Sequence, residues 1–300
     1  MLLLEKPMRL STDIDILLEP GTDIDHFLTE AAQIFPFVSC QESVRKTAKS
    51  IEKRHFRFQY VSLFDSTKTA DILLDCVFVK NPYSQLAERE IKNEFLLTEG
   101  DNLTVRIPTI EAILGDKLTA FAPHTIGVVF HNEDFSNDKR LEVVKQFYDV
   151  SILSGQAKDF NAVRENYFSV AKEELAFRGL SKTPEECLKD TFWSAFIIVT
   201  RGTTSPEDYA ENYLPGIRKI RDHIYGESFS AESAVAHAAN VMLLTAGILA
   251  NEDVLNTKVP NFDNFKDKAY SKTNYLNTGR FKEIFNKAAY AISLFDRFKH

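Results

Sequence analysis

The stretch Arg9-Leu10-Ser11-Thr12-Asp13-Ile14-Asp15-Ile16 sets two carboxylates two residues apart among apolar neighbours. On a strand, side chains alternate between faces, so Asp13 and Asp15 share one with Ser11, while Leu10, Ile14 and Ile16 point the other way, into a core. Carboxylates about 7 Å apart along a strand repel one another, and a divalent cation that both can ligate is their natural partner. A solvated face is the alternative reading of any D-x-D; the Arg and Ser just before this one favour chemistry. The same letters recur in Thr22-Asp23-Ile24-Asp25, directly after Pro20-Gly21. There they suit a helix start, with Thr22 capping free N–H groups and the two acids favouring the positive helix end.

Three further residues carry chemical potential. Asp75 stands in the apolar run Ile72-Leu73-Leu74-Asp75-Cys76-Val77-Phe78-Val79. Its own face carries Leu73, Val77 and Val79, so its charge demands a partner: a metal ion, an Arg, or a proton. Asp71, at the mouth of that run, reads as solvated. Lys117, in Ile113-Leu114-Gly115-Asp116-Lys117-Leu118-Thr119-Ala120-Phe121, falls on or beside the apolar stripe of a helix. It either snorkels to water or holds an anion. Asp149 follows Lys145 by one helical turn, which an i,i+4 ion pair explains without function. His124 and His131 have no partner spacing, and no nucleophile elbow, P-loop or dinucleotide fingerprint occurs.

These residues need elements to position them. Before residue 154 the pattern mixes strands (Leu10 to Leu18, His55 to Leu63, Asp71 to Val79, Leu103 to Ile107) with helices (Asp23 to Phe35, Thr109 to Phe121, Asp138 to Leu153). After Ser154-Gly155 only helical periodicity remains, over 160–177, 184–200, 206–224, 231–249 and 281–298. Thr183-Pro184 and Ser205-Pro206 each place a hydroxyl at a helix N-cap and Pro at the first helical position. Residues 251 to 279 read as a long loop or weak helix. The expected architecture is α+β: a small mixed-sheet domain over residues 1–154 and a helical bundle over 155–300.

Composition bounds the function. Eleven Gly and ten Pro in 300 residues are 7%, against an average near roughly 12%, which suits long helices. A formal net charge of −7 argues against a broad grip on a nucleic-acid backbone, though not against a locally basic groove. Cys40, Cys76 and Cys187 are scattered through apolar stretches, offering neither disulfide nor metal spacing, and read as small buried hydrophobes in a reducing compartment. Met1–Leu4 lacks the apolar stretch of a signal peptide, and 234–250 is short for a membrane span. A cytoplasmic protein with no membrane partner is expected.

In order, R-x-S-x-D-x-D, an L-L-D strand, L-G-D-K-L-x-A and K-Q-x-x-D-V resemble the abortive-infection nucleotidyltransferase toxins of the AbiEii/AbiGii type, within the polymerase-β-like superfamily. The likeness covers about residues 9–153. It implies that Asp13, Asp15 and Asp75 hold metal, that Arg9, Ser11 and Lys117 contact nucleotide, and that Asp149 is the late acidic residue of a catalytic set comprising Asp13, Asp15, Asp75 and Asp149. The implied reaction is Mg²⁺- (or Mn²⁺-) dependent transfer of a nucleotidyl group from an NTP to an RNA (tRNA) or protein hydroxyl. A separately encoded antitoxin is the implied partner. The chain departs from the family at Gln146, where an acidic residue is usual, and in having no Gly-Gly-Ser/Thr turn and helix ahead of Arg9. Met1–Lys6 accordingly reads as the tail of a truncated helix. The competing reading is a nucleotide- or partner-binding module with an inactive site. A two-metal nuclease shares the carboxylates but leaves Lys117 unexplained.

Overall fold

The computed structural model describes residues 3–11, 13–43, 52–83, 85–132 and 136–298. They group into two compact units: Ser11–Pro82, and Met1–Leu10 together with Tyr83–His300. The expected boundary near residue 154 falls inside the second of these.

Ser11–Pro82 contains a four-stranded mixed sheet in the order β1-β4-β3-β2. Its strands are β1 (Asp13–Leu18), β2 (Phe37–Glu42), β3 (Glu52–Val61) and β4 (Thr69–Phe78). β1 lies parallel to β4, and the other neighbours are antiparallel. β4 is interior, which explains its nearly unbroken apolar run. Alternation sends Phe56 and Phe58 of β3 and Cys76 and Phe78 of β4 to one face, where Ile16, Leu18 and Leu28 pack with them. Burial pushes the Cys76 thiol up to about 11, as suits a small core hydrophobe. β1 is an edge strand that starts at Asp13 rather than Leu10, and it buries less than its pattern promised: Ile14 stays 51% exposed. Helix α1 (Asp25–Ala31) begins where the second D-x-D predicted a helix start. The capping differs, since Asp23 accepts the Asp25 N–H while the Thr22 hydroxyl donates to the Glu19 carbonyl. The expected Asp23–Phe35 helix thus ends early, four residues ahead of Phe35.

The larger unit carries an antiparallel pair, β5 (Leu86–Glu90) and β6 (Thr104–Pro108). Its helices follow the predicted periodicity: α2 (Ile110–Ala120), α3 (Arg140–Ser154), α4 (Phe160–Arg178) and α5 (Pro184–Val199). Thr183 caps α5 through a reciprocal box with Glu186, worth about 1 kcal/mol. Ser205 makes no such side-chain bond. The expected 206–224 helix is broken into α6 (Pro206–Asp208), a π turn (Tyr209–Tyr213) and α7 (Leu214–Ile220). Pro215, lacking an N–H, sits at the junction, and the Leu214 N–H reaches back to the Tyr209 carbonyl. The last two helices are α8 (Ser233–Ala250) and α9 (Lys282–Phe298). Among the described residues α8 alone is long and apolar enough to cross a membrane, and 72% of it is buried inside the protein, like a core helix. Met1 and Leu2 of the expected helix tail lie outside the described residues. Residues 3–8 form turns and bends, with Leu3, Leu4 and Met8 against the core of this unit.

Candidate active site

In Ser11–Pro82 one face of the sheet carries the apolar core, and the carboxylates stand on the opposite face. Strand alternation puts Asp13 and Asp15 opposite the core-packed Ile16 and Leu18. Asp75 is opposite the buried Cys76 by the same rule. Register then sets neighbours: Asp15 pairs with Asp75 across β1 and β4, and Asp75 with His55 across β4 and β3. The result is a row, Asp15–Asp75–His55, spanning three strands. Asp13 begins the next row, beside Leu73 and Arg57. The Ser11 hydroxyl, exposed, lies 3.5 Å from the Asp13 carbonyl.

The partner that burial demanded for Asp75 is a histidine. His55 Nδ1 lies 2.8 Å from Asp75 Oδ1, with side chains 13% and 29% exposed. The reading of Asp71 as solvated is corrected: Arg57 Nε stands 3.4 Å from its Oδ2, while its Oδ1 is buried without a hydrogen-bond partner among the described residues. Among the described residues, no three His, Cys, Asp or Glu side chains are already gathered tightly enough to hold a metal ion. The donor chemistry nonetheless suits a hard cation. Asp13 and Asp15 are exposed carboxylates, and Asp75 is the next side chain in the row.

The larger unit holds the second group. Arg9 forms an isolated bridge with Ile224, and the Leu10 N–H donates to the His223 carbonyl. From there the Arg9 guanidinium grips Asp149 with both arms, Nε to Oδ1 at 2.6 Å and Nη2 to Oδ2 at 2.7 Å. Lys117 Nζ donates to Gln146 Oε1 at 2.8 Å and lies 3.4 Å from Asp149 Oδ2. The expected Lys145–Asp149 ion pair therefore yields to cations brought from two other elements. α2, capped at its start by Thr109 and lying close on α4 at Gly115, presents Lys117 to Gln146 and Asp149 of α3. Burial first, then the charges of Lys145 and Arg9, hold the His223 imidazole below its ordinary range.

Arg9, Lys117 and Asp149 are thus gathered in one unit, and Ser11, Asp13, Asp15 and Asp75 belong to the other. Sequence reasoning passed over His55, although its strand was recognised. The signal was present, since His55, Arg57 and Gln59 alternate with Phe56 and Phe58, but only register pairs His55 with Asp75. Gln146, noted as a departure from the family pattern, is the acceptor for Lys117.

A family model described as the nucleotidyl transferase AbiEii toxin of a type IV toxin–antitoxin system matches residues 1–232. No curated protein matches the chain significantly.

Proposed function

Because the chain belongs to the AbiEii nucleotidyl transferase toxin family of type IV toxin–antitoxin systems, we propose that it moves a nucleotidyl group from an NTP to an RNA (tRNA) or protein hydroxyl in the cytoplasm, with Mg²⁺ or Mn²⁺ bound. The observation that carries this reading is the single-faced set Asp13, Asp15 and Asp75 on the side of the sheet opposite its apolar core. These carboxylates would hold the divalent ions, which neutralise the charge developing on the triphosphate. Asp75, paired with His55, orients the attacking hydroxyl and takes its proton. Ser11 hydrogen-bonds phosphate from the strand start.

In the larger unit Arg9 and Lys117 supply charge-assisted hydrogen bonds to phosphate oxygens. Asp149 holds both cations in place, fixing the direction of the Arg9 fork with two hydrogen bonds. Lys145 and Arg9, whose charges add to burial in holding His223 below its ordinary range, support an anion there. Family membership also implies a cognate antitoxin.

The test is label transfer from each α-³²P-NTP to total tRNA and to protein, with Mg²⁺, Mn²⁺ or excess EDTA. Metal-dependent labelling that disappears in Asp15→Asn supports the reading. NTP binding without transfer under any condition would replace it with the binding-module reading.

A further inference from the structure

His55 stands on the same sheet face as the three carboxylates. It lies on β3, one strand removed from β1 and its carboxylate pair, and meets the row at Asp75. We propose that His55 is a positioning residue: its Nδ1–H holds one oxygen of Asp75 on the β3 side, so that the carboxylate presents the other toward Asp15. This inference rests on the metal-holding reading of Asp13, Asp15 and Asp75.

Three observations carry it. The Nδ1–Oδ1 separation of 2.8 Å is a full hydrogen bond. An ionised carboxylate can only accept, so the imidazole nitrogen is the donor. The pair is also sheltered: His55 is 13% exposed and backed by a strand paired along ten residues with β4, which leaves the ring little freedom. Lastly, the register makes Asp75 the middle member of the row, with His55 on one side and Asp15 on the other. A carboxylate anchored at one oxygen has its rotamer chosen in advance, and ligands oriented by an outer hydrogen bond bind metal more tightly.

Mn²⁺ is the probe, its binding followed by the EPR signal of the free ion. Wild type, Asp15→Asn, Asp75→Asn, His55→Leu, His55→Asn, His55→Gln and the double variant His55→Leu/Asp75→Asn are compared, each with a thermal melt. His55→Leu is expected to weaken Mn²⁺ binding about 10–100-fold, the usual effect of removing such a partner. His55→Asn, which keeps an N–H where Nδ1 stands, should bind nearly as wild type, and His55→Gln, whose amide stands where Nε2 does, should not. In the Asp75→Asn background His55→Leu should have no further effect, because the role acts through Asp75. Should His55→Leu fail to fold, the contrast between Asn and Gln decides. Wild-type binding in His55→Leu, or an equal loss with and without Asp75, overturns the positioning role alone. Wild type that binds Mn²⁺ no better than Asp15→Asn overturns the metal reading, and this inference with it.

Discussion

Arg9 and Asp149, 140 residues apart in sequence, are joined by two parallel hydrogen bonds of 2.6 and 2.7 Å. The fork-to-carboxylate geometry is one only arginine supplies, and both side chains are largely shielded. Arg9→Ala leaves a shielded carboxylate with Lys117 as its remaining cation in this trio, at an expected cost of about 2 kcal/mol. Arg9→Lys keeps charge but loses one bond, and should cost about half as much. Urea unfolding midpoints measure both; an Arg9→Ala midpoint equal to wild type would show that the pair does not support the fold.

Lys117→Ala removes the cation that bridges Gln146 and Asp149. NTP affinity, read by titration calorimetry, should fall about tenfold or more, the equivalent of one charge-assisted bond. The melting temperature should move by no more than a few degrees, since a partly exposed lysine leaves no cavity. Unchanged NTP affinity would remove Lys117 from the nucleotide site.

Gly115 carries a prediction against helix propensity. It lies inside α2, where Ala would ordinarily stabilise by about 1 kcal/mol. A Cβ there would stand 2.7 Å from the Tyr167 backbone nitrogen and 2.9 Å from Asn166 Cβ, both on α4. Backbone cannot yield as a side-chain tip can, so Gly115→Ala should destabilise by roughly 1–3 kcal/mol. A rise in thermal stability would mean that α2 and α4 do not approach so closely.

His124 makes stability depend on pH. The Asp190 carboxylate, 2.9 Å from Nδ1, holds its imidazole above the ordinary range. A raised folded pKa means that the folded state binds the proton more tightly than the unfolded one. The contribution is therefore complete below about pH 6.5 and lost as pH rises through the raised value. His124 is 47% exposed, so solvent screening keeps the effect small. His124→Asn should lower the melting temperature by no more than about 3 °C at pH 6, with the gap closing by pH 9. A gap that widens with pH would contradict the ion pair.

How much could be read along the chain differs from residue to residue. Asp13 and Asp15 were legible as a same-face pair because strand alternation is local. The second D-x-D was legible as a helix start, although Asp23 rather than Thr22 meets the free N–H. Asp75 announced only a need for a partner. Nothing near it named His55, which is twenty residues earlier and reaches it through β3–β4 pairing. Asp149 pointed to the wrong neighbour: the helix offers Lys145 one turn away, yet Arg9 and Lys117 arrive from other elements with better geometry.

Which residues alternate, which segments coil and where Pro and Gly interrupt them can be read locally, because those properties depend on neighbours within a turn or two of chain. Local pattern thereby marks the strands under Asp13 and Asp75, the helix under Lys117 and the buried α8. The β1–β4–β3 register that aligns Asp15, Asp75 and His55, and the gathering of Arg9, Lys117 and Asp149, emerge only when the chain packs. Register and long-range ion pairs belong to the packing of whole faces. A one-residue slip between strands would preserve every local pattern while sending each side chain to the opposite face.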